Sequence, residues 1–202
     1  LTFTSNEATT DLTDADISVS GGTLSAWSAT GTTDTTYEAT FTPTGGDGLK
    51  TIQINGSQFT DTAGNSNLAS NSFEWTYDSI APTQPTISAS QNPTNDTTPE
   101  LTISTDANTS VELFKDGSST ALESSTTDGS GNWVVSPDLA SEGTYVLEAV
   151  ATDAAGNTAT STTLSMAIDL TDPTSAVSST GGSNNFITNS TTLDLTFNFS
   201  ET

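Results

Sequence analysis

The side chains able to do chemistry in this 202-residue chain are nearly all carboxylates: 25 Asp and Glu stand against 2 Lys and Arg, with no His and no Cys. The formal net charge is −23. Without His or Cys there is no Ser–His or Cys–His nucleophile and no imidazole base. Zinc, haem and iron–sulfur sites lose their usual ligands for the same reason. What a set of acidic oxygens can hold is a hard cation. Ca²⁺ accepts many oxygens in irregular geometry, whereas Mg²⁺ demands a stricter octahedron. Two lysines, Lys50 and Lys115, cannot neutralise a phosphate backbone, so nucleic acid is excluded as a partner, and the same field repels anionic membranes. A carboxylate-pair glycosidase would need two acids positioned in a cleft. Nothing in the spacing marks such a pair, so neither an enzyme nor a small-molecule substrate is expected.

The acids recur at matched places. Asp61-Thr62-Ala63-Gly64-Asn65 returns as Asp153-Ala154-Ala155-Gly156-Asn157. The junction Asp78-Ser79-Ile80-Ala81-Pro82-Thr83 returns as Asp169-Leu170-Thr171-Asp172-Pro173-Thr174. Leu1-Thr2-Phe3 followed by Glu7 returns as Leu195-Thr196-Phe197 followed by Glu201. Internal repetition of this kind marks tandem modules. The repeats divide the chain into 1–80, a domain lacking its first strand, 81–170, a complete domain, and 171–202, the first strands of a third domain of the same type as the first. A chain that opens on Leu1 and restarts near its end is expected to be a segment of a longer array, or a subunit whose Ser183–Thr202 strands complete a neighbour.

Short alternating runs between turn residues predict seven strands in the complete domain: Thr86–Ser90, Glu100–Thr105, Ser110–Lys115, Leu122–Thr126, Asn132–Ser136, Thr144–Thr152 and Thr158–Ile168. No window carries a helical apolar stripe, and only Asp11–Asp16 is read as a single turn. Low hydrophobicity with high charge is also a signature of disorder; the strand periodicity decides for a folded chain. No apolar run approaches the roughly 20 residues of a membrane span. The fold class is therefore all-β, a series of two-sheet sandwiches with almost no helix. Tyr145 stands where a tyrosine corner belongs, and Trp133 is the natural core aromatic beside it. Trp75, alternating with Phe73 and Tyr77, is read as core.

In such a sandwich alternate loops share a pole. Asp106, Asp128 and Asp153 then lie at the same end as the linker acid Asp78. In the first domain Glu7 meets Asp61, and the third supplies Asp169, Asp172 and Glu201. Carboxylates packed together repel unless protonated or bridged by a cation. Ca²⁺, completed by carbonyls of turns such as Asp128-Gly129-Ser130-Gly131-Asn132, is the expected cofactor. Asp is also common in turns because it caps its own backbone, so each of these acids has a purely structural reading as well.

The Asp-x-Ala-Gly-Asn turn, the Asp-to-Pro junctions and the opening Leu1-Thr2-Phe3 with Glu7, followed by Leu12-Thr13-Asp14-Ala15-Asp16-Ile17-Ser18-Val19, resemble bacterial immunoglobulin-like repeats of large secreted and cell-surface adhesins, including the RTX type. Thr127-Asp128-Gly129-Ser130-Gly131-Asn132-Trp133, with Leu139 and Gly143-Thr144-Tyr145, is similar to a second subtype. The resemblance implies sandwiches strung end to end outside the cell, stiffened by Ca²⁺ at linkers and loops. By position it favours Asp78, Asp153, Asp169, Asp61 and Glu7 as ligands. Ser79 and Asp172 depart from the usual junction pattern. The expected function is a structural extender whose partners are neighbouring repeats. The alternative is a filament or surface-layer subunit completed by strand exchange with adjacent subunits.

Overall fold

The structure, a computed structural model, describes residues 1–9, 11–179 and 191–200. Its regular elements are strands, apart from a 3-10 turn at Asp14–Asp16. That turn begins where Thr13 donates both its N–H and its hydroxyl to Asp16 Oδ2, at 2.8 and 2.9 Å.

The first unit has six strands: β1 (Thr2–Thr4), β2 (Ile17–Ser20), β3 (Gly22–Ala29), β4 (Thr36–Pro43), β5 (Gly48–Ile54) and β6 (Phe73–Tyr77). They form two antiparallel sheets in the orders β1-β4-β3 and β2-β5-β6. Both sheets feed one core. Phe3, Trp27 and Tyr37 come from the first, and Ile17, Ile52 and Trp75 from the second. Aromatic contacts knit it: Trp27 stacks on Tyr37 at 5.2 Å, and Trp75 meets Phe41 edge-on at 4.7 Å. Such pairs add to plain area burial. Trp75 packs on the core as expected, but its strand neighbours Phe73 and Tyr77 are exposed.

The second unit runs β7 (Thr86–Ala89), β8 (Leu101–Ser104), β9 (Ser110–Lys115), β10 (Glu123–Thr126), β11 (Asn132–Val135), β12 (Gly143–Thr152), β13 (Thr158–Thr160) and β14 (Leu164–Ile168). One sheet is β11-β8-β7; the other is β10-β9-β12, with β13 and β14 both lying along β12. Leu101, Ile103, Val111, Leu113, Leu139 and Leu147 are wholly buried between them. The period of two is clean in β12, where Leu147, Ala149 and Ala151 point inward and Val146 outward. All seven expected strands are present, and the last is split. Between β13 and β14, Ser161 donates its N–H to Ala149 O while its Oγ accepts the Ala149 N–H, at 2.8 and 2.9 Å. A side chain thus replaces one rung of the ladder. Trp133 is half-buried against the core, and Leu139 from the following loop takes the fully buried place instead.

The tyrosine corner is formed: Tyr145 OH donates to Ser141 O at 2.8 Å. Tyr37 does the same work in the first unit, donating to Thr9 O at 2.8 Å. Beyond residue 170, β15 (Ser175–Ser179) and β16 (Leu195–Phe199) form an antiparallel ribbon. In unfolding experiments Tyr145→Phe is expected to cost about 1 kcal/mol, the loss of one hydrogen bond, and Leu147→Ala about 2–5 kcal/mol, the loss of a packed side chain plus the cavity left behind. Equal stability of both variants and the parent would contradict this core.

Candidate interdomain junctions

Three loops share one construction. In Asp61–Asn65, Asp128–Asn132 and Asp153–Asn157 the leading carboxylate turns back onto its own loop. Asp153 Oδ1 accepts the N–H groups of Ala155 and Asn157 at 2.8 and 2.9 Å, and Oδ2 accepts Asn157 Nδ2 at 2.9 Å. Asp61 repeats this with Ala63 and Asn65. Asp128 accepts the N–H groups of Ser130 and Asn132. The fourth residue is glycine each time because φ there is +90°, +81° and +92° at Gly64, Gly131 and Gly156, where a side chain would be strained. Hydrogen bonds, Asn65 foremost for Asp61, backbone Asn132 for Asp128 and Asn157 for Asp153, hold these carboxyls below the ordinary Asp value.

The loops of the expected pole do come together. Asn108 N–H donates to Asp128 O, and Thr105 N–H to Gly131 O. The carboxylates, however, are engaged locally. Asp106 accepts the N–H and the hydroxyl of Thr83, both at 2.7 Å, and these bonds depress its pKa. Asp78 accepts the Ile80 N–H through Oδ1 at 3.0 Å. Asp169 accepts the Thr171 N–H at 3.0 Å, and Asp172 is exposed. Among the described residues no three acids stand close enough to hold a metal ion. Glu201 lies outside the described residues. Asp78, Asp106, Asp128 and Asp153 each accept donors from their own loop or linker in this arrangement. Glu7 and Asp61 line one open cleft together with Ser5, Asn6 and Asn67. Carboxylates that share a cleft repel unless protonated or bridged by a cation, and this pair offers oxygens of the kind a calcium ion takes.

The linkers are tied to the domains on both sides. Asp47 Oδ1 accepts the N–H and hydroxyl of Ser79 at 2.9 and 2.8 Å, fastening the linker to the first unit. Asn157 Nδ2 donates to Asp78 O at 3.2 Å, and Gln84 Nε2 to Thr160 O at 2.8 Å, fastening it to the second. Thr105 Oγ1 donates to Thr83 O as well. Pro82 and Pro85 are buried, which fixes two φ angles in between. The exit linker repeats the device. Thr171 Oγ1 donates to both carboxylate oxygens of Glu142, at 3.0 and 2.9 Å, and Asp169 N–H donates to Thr94 O at 2.9 Å. Asp47 and Glu142 occupy equivalent places. Each precedes the glycine that opens a strand, Gly48 or Gly143, and that glycine pairs with the last residue before the linker acid or its immediate neighbour, Tyr77 or Ile168. Reading acids by loop position missed Asp47 and left Glu142 without a role. The acid–glycine pair ahead of each strand was the available signal.

Two family models, each described as a bacterial Ig-like domain, match this chain, one over residues 1–77 and the other over 78–170. The chain belongs to the bacterial Ig-like domains and carries two of them in tandem. A solved structure titled "Biofilm associated protein - BSP domain" aligns with 77% of this chain and 25% of its own, at 18% identity and a TM-score of 0.36. This chain thus spans about a quarter of that one. No curated protein matches it.

The depressed carboxyls set a pH dependence. A group whose folded pKa lies below its unfolded value, about 3.9 for Asp, contributes stability that is complete above that value and is lost as pH falls through the folded one. Asp153→Asn should lower the melting temperature at neutral pH and lose less than the parent on acidification below about pH 4. Identical melting curves for parent and variant across that range would contradict the closed-loop role.

Proposed function

We propose that this chain is a non-enzymatic spacer segment of a bacterial cell-surface or secreted adhesin. It would hold neighbouring Ig-like modules at fixed separation and orientation. One observation carries the reading. The domain from Asp78 to Leu170 takes the chain in at the pole of Asn157 and Asp106 and releases it at the pole of Glu142 and Thr94, with each linker hydrogen-bonded to a domain. Opposite entry and exit favour modules added end to end. Tandem bacterial Ig-like domains support a repeat of this kind, and the excess of acids supports an extended, soluble surface through self-repulsion. No helix among the described residues is long and apolar enough to cross a membrane.

Calcium enters this reading at Glu7 and Asp61, where a cation would relieve the repulsion between two carboxylates and lock the Asp61 loop against the loop after β1. An ion bound only by the folded state stabilises it by mass action.

Two experiments test the proposal. Small-angle scattering of the chain should give a narrower distance distribution for the parent than for Asp47→Ala combined with Asn157→Ala. If the double variant scatters identically, the linker bonds do not set the spacing. Millimolar Ca²⁺ should raise the melting temperature of the parent and leave Glu7→Gln unmoved; an equal response in both would remove calcium from this site.

A further inference from the structure

Lys50 is only 3% exposed. A buried ammonium is costly unless its donors find acceptors. Nζ donates to Thr44 O at 3.2 Å and to Gly46 O at 2.6 Å, and the Tyr77 ring centre lies 5.9 Å away. The stem crosses Gly21 so closely that a β-carbon there would stand 2.6 Å from Cδ. The side chain therefore lies in a formed bed, between the bend joining β2 to β3 and the turn joining β4 to β5.

That second turn has little shape of its own. Thr44-Gly45-Gly46-Asp47-Gly48 holds three glycines, at φ +75°, +81° and +118°, with open space where each β-carbon would stand. A glycine-rich segment loses the most freedom on ordering. Its fixed points ahead of Asp47 are Thr44 N–H, which donates to Gly21 O at 2.9 Å, and the two carbonyls gathered by Lys50. Asp47 follows directly after the second of those carbonyls. Its Oδ1 is the acceptor that takes both the N–H and the hydroxyl of Ser79 in the linker.

The second domain meets the same need by other means. The residues ahead of Glu142 are held by Leu139, which is wholly buried, and by Tyr145 OH on Ser141 O. The turn ahead of Asp47 carries no large apolar side chain. An ammonium bonded to its carbonyls takes the place of that anchor.

We propose that Lys50 is the positioning residue of the first linker: its buried ammonium sets the shape of the Thr44–Asp47 turn and so aims the Asp47 carboxylate at Ser79. The charge acts through two carbonyls and the chain that follows them, and Lys50 itself touches neither Asp47 nor the linker acid Asp78 within ion-pair distance. The inference deepens the spacer reading and rests on it only for the consequence that domain spacing follows from this bond. Calcium has no part in it.

The test is Lys50→Met in the full chain, which keeps an unbranched apolar stem and removes the charge. Amide exchange at Ser79 should speed up by about tenfold, the protection expected of one hydrogen bond to a charged acceptor. The Ile52 amide should stay protected and report that the domain is folded. Adding Asp47→Ala should bring little further acceleration, because both substitutions act on the same bond. Should Lys50→Met fail to fold, Lys50→Gln, which keeps a donor but no charge, takes its place with the same expected direction. Unchanged exchange at Ser79, equal acceleration at Ser79 and Ile52, or additive effects of the Lys50 and Asp47 substitutions would each overturn the proposal. Domains that reorient freely in the parent would remove the spacer reading instead, and Ser79 exchange would still decide the role of Lys50.

Discussion

In a chain with 25 acids and two lysines, a carboxylate must be satisfied by N–H and O–H groups, because ammonium partners are nearly absent. This constraint organises the structure. Roughly a third of the residues are Ser or Thr, and their hydroxyls serve as donors. Thr60 and Thr9 donate to Asp11, Ser79 to Asp47, Thr83 to Asp106, and Thr171 to Glu142. Lys50 itself is buried and donates to the carbonyls of Thr44 and Gly46. Hydrogen bonds to an ionised acceptor are stronger than neutral ones, so acids that would otherwise only repel become fasteners for loops and linkers.

The fasteners fall in two places. In the Asp-x-x-Gly-Asn loops they close a turn between successive strands. At the linkers they join a domain to the chain leaving it. The second use is positional: Asp47 and Glu142 sit one residue before the strand whose first glycine faces the end of the domain. A linker hydroxyl placed two or three residues beyond that end meets the acid. A carboxylate-to-hydroxyl bond appears at both junctions, with Ser79 engaged in the first and Thr171, one position further along the linker, in the second.

The fold was legible because sheets write themselves as alternation. Every strand of the second domain could be placed within a residue or two, and Tyr145 announced its corner by standing after a polar turn at the start of β12. The split at Ser161 was not legible, since a serine that replaces a ladder rung looks like any polar strand residue. The acids were harder. Asp153 in Asp-Ala-Ala-Gly-Asn has the same letters whether its carboxylate faces inward to the loop or outward to an ion; the inward turn is settled by the positive φ of Gly156 and the amide of Asn157, which together bring three donors to one side chain. Glu7 and Asp61, expected to meet, line the same cleft.

The central claim is that hydrogen-bonded acids, and not a metal alone, fix how one domain follows the next. Residual dipolar couplings measured on residues 1–170 in metal-free buffer test it most directly. The account predicts that couplings from both domains fit a single alignment tensor, since Ser79, Asp78 and Thr83 are each held by a domain. Two independent tensors of different magnitude would show domains that reorient freely, and would contradict it.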